Sequence, residues 1–125
     1  MLVTLASTLV LAASVQAPAA AEGLGAAKDF VILYAGDPAT ERAKAFTQFL
    51  QSSFRKVDTI ELKDLSQQSA APYDVVVADW HRMYGEEEMQ IDIPHVELDP
   101  GFSKPIVMIG AVGGSIQHHT KIGWL

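Results

Sequence analysis

Asp79, His81 and Ser115 are the side chains of this chain best suited by type to acid–base or nucleophilic work. Gly36, Asp37, Trp80, Gly110, Gly113 and Gly114 stand near them or at comparable points of the sequence, where a ligand could be held. The stretch "GAVGGS" from Gly110 to Ser115 follows an apolar run. Glycine-rich turns between a strand and a helix can offer backbone N–H groups to an anion. The spacing G-x-x-G-G-S is neither the dinucleotide fingerprint nor a phosphate loop, because it lacks the Gly-Lys-Ser/Thr ending. Glycine also serves wherever the backbone needs positive φ, and a plain turn is the favoured reading.

Ser115 sits in half of a nucleophile elbow, with Gln117 where the second glycine belongs. Such an elbow wants its serine on the sharp turn directly after the strand, and here several residues intervene. His118 and His119 are adjacent, so on a helix they point about 100° apart and cannot chelate one ion. Asp37, Asp79 and His81 could form a carboxylate–imidazole metal site if their loops converged. The routine duties of helix capping for Asp37 and turn-amide binding for Asp79 are favoured, so no metal and no cofactor is expected. Trp80 and Tyr84 could wall a pocket, although Trp80 is more simply a cover for the sheet edge. Glu86-Glu87-Glu88 reads as a solvated turn.

The elements that must position these residues alternate between strand and helix patterns. "FVILYAG" reads as a strand from Phe30 to Tyr34, apolar without alternation, as in a strand covered on both faces. Asp37 is expected to cap the next helix, with Pro38 in its first turn. From Pro38 to about Phe54, the recurrence of Ala43, Phe46, Leu50 and Phe54 marks one apolar face. "KVDTIEL" alternates and suits an edge strand, and Asp64 to Ala71 is a turn or short helix. "YDVVVAD" and "KPIVMIG" are the third and fourth strands. Between them lies a long insertion, 80–104, in which Met89, Ile91, Ile93, Val96 and Leu98 alternate as in a hairpin or extended flap.

This alternation predicts an α/β fold with a three-layer open parallel sheet, flavodoxin-like or Rossmann-like. Right-handed crossovers give the strand order 2-1-3-4. The chain stops on Trp124 and Leu125 without a fifth strand, which suggests a truncated sheet. In open parallel sheets ligands sit beyond the carboxyl ends of the strands, where the order reverses. That rule gathers Gly36, Asp37, Asp79, Trp80, His81, Gly110, Gly113, Gly114 and Ser115 at one rim.

Composition bounds the rest. The 125 residues suffice for one domain, spanning 29–125 after a Gly/Ala linker at 22–28. Residues 1–21 read as an export signal: an apolar run too short to span a membrane, then Ala19-Ala20-Ala21 as a cleavage site, with Val15-Gln16-Ala17 as a second. No Lys or Arg precedes the run, so the usual positive start is missing. A net charge of −6 argues against nucleic acid or anionic membrane as partner. The absence of cysteine excludes thiol nucleophiles, thiolate metal sites and disulfide staples, and suits a bacterial periplasmic or secreted protein that relies on its core.

From Phe30 to Asp79 the layout resembles the class I glutamine amidotransferase-like domains, particularly the ThuA-like branch. The matching stretches are "FVILYAG", the helix after it, "VDTIEL" and "YDVVVAD". The resemblance implies a flavodoxin-like fold. The family's nucleophile is a cysteine, and this chain has none, so amidotransferase chemistry does not carry over.

The sequence therefore points to an exported α/β domain that binds a small molecule or a protein partner without catalysis. The alternatives are a hydrolase or carbohydrate-modifying enzyme built on Asp79, His81 and Ser115, and the N-terminal portion of a larger envelope protein. The enzyme reading requires Asp37, Asp79, His81 and Ser115 to converge on one point. The binding reading requires a cleft rimmed by Trp80 and the glycine turn.

Overall fold

The computed structural model describes residues 25, 27–82 and 92–120. The export-signal segment, Tyr84, Glu86 to Glu88, Met89, Ile91, Trp124 and Leu125 lie outside the described residues, as do the side chains of His118 and His119.

Four strands form one all-parallel sheet in the order β2-β1-β3-β4, as the crossover rule predicts. The strands are β1 (Val31–Gly36), β2 (Lys56–Glu61), β3 (Val75–Trp80) and β4 (Ile106–Gly110). Helices on the described residues include α1 (Glu41–Ser53), α2 (Gln67–Ala70) and α3 (Val112–Thr120), with a 3-10 turn at Leu62–Asp64.

Side-chain alternation along the central strands builds two cores. On one face Ile32, Tyr34, Val57 and Val77 pack against Ala43 and Leu50 of α1, with Phe46 and Phe54 partly buried beside them. On the other, Leu33, Ala35, Val76 and Ala78 meet Leu62, Leu65 and Ala70, and also Val112 and Ile116 of α3. Helices on both faces make the inner strands dry, which is why β1 and β3 carry unbroken apolar runs rather than alternating ones. At the edge, β2 alternates: Val57 is buried while Lys56 and Thr59 are exposed. At the opposite edge, β4 has no strand on its outer side among the described residues, and Val107 is half exposed.

The start of α1 differs from expectation. Thr40, not Asp37, is the cap: its Oγ1 accepts the Ala43 N–H at 3.1 Å. Asp37 instead makes the turn that delivers Thr40, its Oδ1 accepting from Ala39 N at 3.2 Å and its carbonyl from Thr40 Oγ1 at 2.8 Å. Aspartate bonds its own downstream backbone as readily as it caps, so Pro38 falls in that turn ahead of the helix.

The described part of the insertion forms no strand. Its alternation is nevertheless real: Val96 and Leu98 are buried in the core beneath α3, while His95 and Glu97 are exposed. Lys104 Nζ donates to Tyr73 O at 2.8 Å and Ser103 N to Gln67 Oε1 at 3.2 Å, tying the return of the insertion to the body of the domain.

Candidate functional site

The parallel strands bring their carboxyl ends to one rim. Gly36 closes β1, Glu61 closes β2, Trp80 closes β3 and Gly110 closes β4. Two different arrangements occupy this rim, one on each face of the sheet.

On the α1 face, Asp79 is buried and fully engaged. Arg42 grips it with Nε 2.9 Å from Oδ2 and Nη2 3.0 Å from Oδ1, and Tyr34 donates its hydroxyl to Oδ2 at 2.8 Å. Gly36 makes this geometry possible. A Cβ there would stand 2.8 Å from the Tyr34 ring and 3.0 Å from its hydroxyl, so only glycine lets the phenol lie across the strand end to reach Asp79. The Tyr34 ring stacks on Phe46 at 6.3 Å, and the Arg42 guanidinium lies 5.0 Å from the same Phe46 ring. Burial pushes the Tyr34 phenol well above its ordinary range, and the hydrogen bond to the Asp79 carboxylate raises it further. Arg42's own hydrogen bonds to the Asp79 carboxylate raise its guanidinium above the usual value.

On the opposite face lies a crevice of about 230 Å³. Gly36, Asp37 and Trp80 line it from the ends of β1 and β3, and Glu61, Leu62 and Lys63 from the end of β2. Pro94 of the insertion closes one side. Glu61 and Lys63 are ion-paired with each other, and the bond to Glu61 raises the Lys63 ammonium above its ordinary value. The Asp37 carboxylate makes only the bond to Ala39 among the described residues. The Trp80 Nε1 is shielded from solvent and has no hydrogen-bond partner among the described residues, so the accessible part of that indole is ring carbon.

The fourth strand end resolves into a turn and then a helix. Gly110 has φ +73°, and a Cβ would lie 2.4 Å from the Trp80 carbonyl, so the positive-φ reading of the glycine run holds at this residue. The turn is locked by Ala111 N donating to Trp80 O at 2.8 Å. Gly113, Gly114 and Ser115 do not form a loop: all three lie within α3. Val112 and Ile116, one helical turn apart, are fully buried, and that burial outweighs the cost of two helical glycines, about 1 kcal/mol each. Gly113 and Gly114 thus stand in the first turn of a helix rather than in a loop cradle.

The predicted site residues therefore separate. Gly36, Asp37 and Trp80 share the crevice; Gly110 shapes the neighbouring turn by its fit against Trp80. Asp79 faces the other side of the sheet, committed to Arg42 and Tyr34. His81 is exposed just past β3, and Ser115 is half-buried in the helix, where its N–H donates to Ala111 O at 3.5 Å. Among the described residues no group of three or more His, Asp or Glu is arranged to hold a metal ion.

Arg42, Tyr34, Glu61 and Lys63 escaped the sequence reading. Glu61 was accessible to it, because the rule that gathers the ends of β1 and β3 applies equally to the end of β2. Tyr34 also carried a signal: a tyrosine inside a fully apolar strand must find a partner for its hydroxyl. A wider groove of about 490 Å³ runs along α1 and β2 past Lys44, Thr47, Gln48 and Thr59. It lies outside the edge strand, walled by long polar helix side chains, and has no aromatic surface, so the smaller crevice is the better candidate.

Compared with known proteins, no family model, no curated protein and no solved structure matches this chain.

Proposed function

We propose that this protein is an exported binding domain that holds a small molecule in the crevice at the carboxyl ends of β1, β2 and β3, without chemical turnover. The observation that carries this reading is the meeting of Gly36, Asp37 and Trp80 with Glu61 and Lys63 in one concave site. It lies at the strand ends beside the point where the chain order reverses, the position at which open parallel sheets hold ligands. The apolar segment before Ala21, with its small-residue cleavage pattern, supports export.

The hydrolytic alternative draws less support. It needs Asp79 aimed at the same point as His81 and Ser115, and the two oxygens of Asp79 are taken by Arg42 and Tyr34. A carboxylate so held is a fixed strut, not a base awaiting a proton.

The test is an amide and indole NMR titration of the intact protein with a panel of neutral sugars, amines, amino acids and small carboxylic acids. Binding should shift the Trp80 indole signal together with the amides of Asp37 and Lys63. Shifts confined to the groove along α1 and β2, or none from any compound, would overturn the assignment. Sequencing the N-terminus of protein recovered from the cell envelope tests export, with cleavage expected after Ala17 or Ala21.

A further inference from the structure

Resting on the binding reading above, we propose that the crevice selects a small organic cation, a primary ammonium or guanidinium group on a short apolar stem. Three observations point the same way. Among the described residues, Asp37, Glu61 and Lys63 are the ionisable ones lining the site, and together they leave one negative charge. Because Lys63 is ion-paired with Glu61, the uncompensated charge is the Asp37 carboxylate, which spends one oxygen on Ala39 and leaves the other open. In the same crevice lies the partly buried Trp80, whose Nε1 is shielded, so that any accessible part of its indole is ring carbon. A carboxylate sharing a crevice with a partly open indole is the combination that holds a cation electrostatically while taking its stem by contact and cation–π attraction.

Size and field agree with this assignment. A volume of about 230 Å³ accommodates a ligand of several heavy atoms rather than a dinucleotide or oligomer. Among the described lining residues, an anion would meet Asp37 with only the paired Lys63 to answer it. The chain's net charge of −6 further enriches cations near the surface at low salt. The Glu61–Lys63 pair is exposed on both sides, so it is weakly held and able to rearrange when a competing cation arrives.

The experiment measures binding of n-butylammonium and n-butylguanidinium, with n-butanol as the neutral counterpart, by the Trp80 indole shift and by calorimetry. The protein used is the intact chain and its variants Asp37→Asn, Glu61→Gln and Lys63→Gln. Both cations should bind in competition with salt, and butanol about tenfold or more weaker. Asp37→Asn keeps the turn, since asparagine bonds its backbone as aspartate does, yet should weaken the cations about tenfold. Glu61→Gln unpairs Lys63 and should also weaken them. Lys63→Gln frees Glu61 and should tighten them several-fold, a gain that loss of structure cannot mimic. N-acetyl-lysine amide and N-acetyl-arginine amide separate the sources: tighter binding than the bare amines marks a basic side chain of a peptide, weaker binding a free amine.

Equal binding of butanol, or cation affinity unchanged in Asp37→Asn and Lys63→Gln, overturns the cation assignment. Neutral sugars shifting the same residues would then leave the crevice itself standing. Silence at Trp80 with every compound removes both readings together.

Discussion

Arg42 and Asp79 meet as a bidentate pair across 37 residues of sequence, with both Asp79 oxygens accepting from the guanidinium. The pair fastens the start of α1 to the end of β3, the strand whose last residue, Trp80, lines the crevice on the other face of the sheet. Because Asp79 is almost fully buried, removing its partner strands a carboxylate in the core. Arg42→Ala should destabilise the domain by about 2–3 kcal/mol, below the about 3–5 kcal/mol of a wholly buried pair because Arg42 remains 39% exposed. Tyr34→Phe removes a hydrogen bond to a charged acceptor and should cost about 1.5–3 kcal/mol. Denaturant unfolding of both single variants and the double variant checks this, and purely additive costs would show that the three groups do not act as a unit.

The same cluster makes stability depend on pH at the alkaline end. Burial and the Asp79 hydrogen bond hold the folded Tyr34 phenol above the value of about 10 that it has in the unfolded chain. The native state therefore keeps a proton that the unfolded state releases. The contribution of Tyr34 is complete below about pH 10 and declines as pH rises past it. Unfolding free energy measured between pH 9 and pH 11 should fall in the parent chain, and fall less steeply in Tyr34→Phe. Identical slopes would place the buried phenol outside the linkage.

Much of this arrangement was legible in the sequence. Unbroken runs such as "VILYA" and "VVVA" reveal strands covered on both faces, and right-handed crossovers lead to the order 2-1-3-4 that the sheet has. What stayed hidden depended on orientation. Asp79 and Trp80 are neighbours in the chain, but adjacent residues of a strand point to opposite faces, so one enters the Arg42 clamp and the other the crevice. Which of the two faces the crevice is fixed by the sheet's register and its helices, neither of which a motif reveals. Gly113 and Gly114 misled for a related reason, since their local preference for a loop yields to the burial of Val112 and Ile116.

Two glycines of one short stretch should respond to alanine with opposite signs. Gly110 adopts φ +73°, and a Cβ would collide with the Trp80 carbonyl at 2.4 Å, a backbone atom that cannot yield. Gly110→Ala should cost at least about 2 kcal/mol, combining left-handed strain with displacement of the β3 terminus. Gly114 lies in α3 with nothing within 4 Å of its would-be Cβ. Gly114→Ala should stabilise the domain by about 0.5–1 kcal/mol through helix propensity. Thermal melts of the two variants make the comparison, and destabilisation by both would contradict the helical placement of Gly114.

The insertion should prove structural where it alternates, although its described part forms no strand. Leu98 is buried in the core beneath α3, so Leu98→Ala removes packed apolar volume and should cost about 2–5 kcal/mol. Glu97, its neighbour, is exposed and lies 3.8 Å from His95 in a pair open to solvent. Glu97→Ala should therefore change stability by no more than about 0.5 kcal/mol. The same packing holds Pro94 beside the crevice, which ties core stability to the site. Leu98→Ala should accordingly broaden the Trp80 indole signal and weaken ligand binding even where the domain remains folded. Normal stability and a sharp indole signal in Leu98→Ala would show that the segment merely rests on the domain surface.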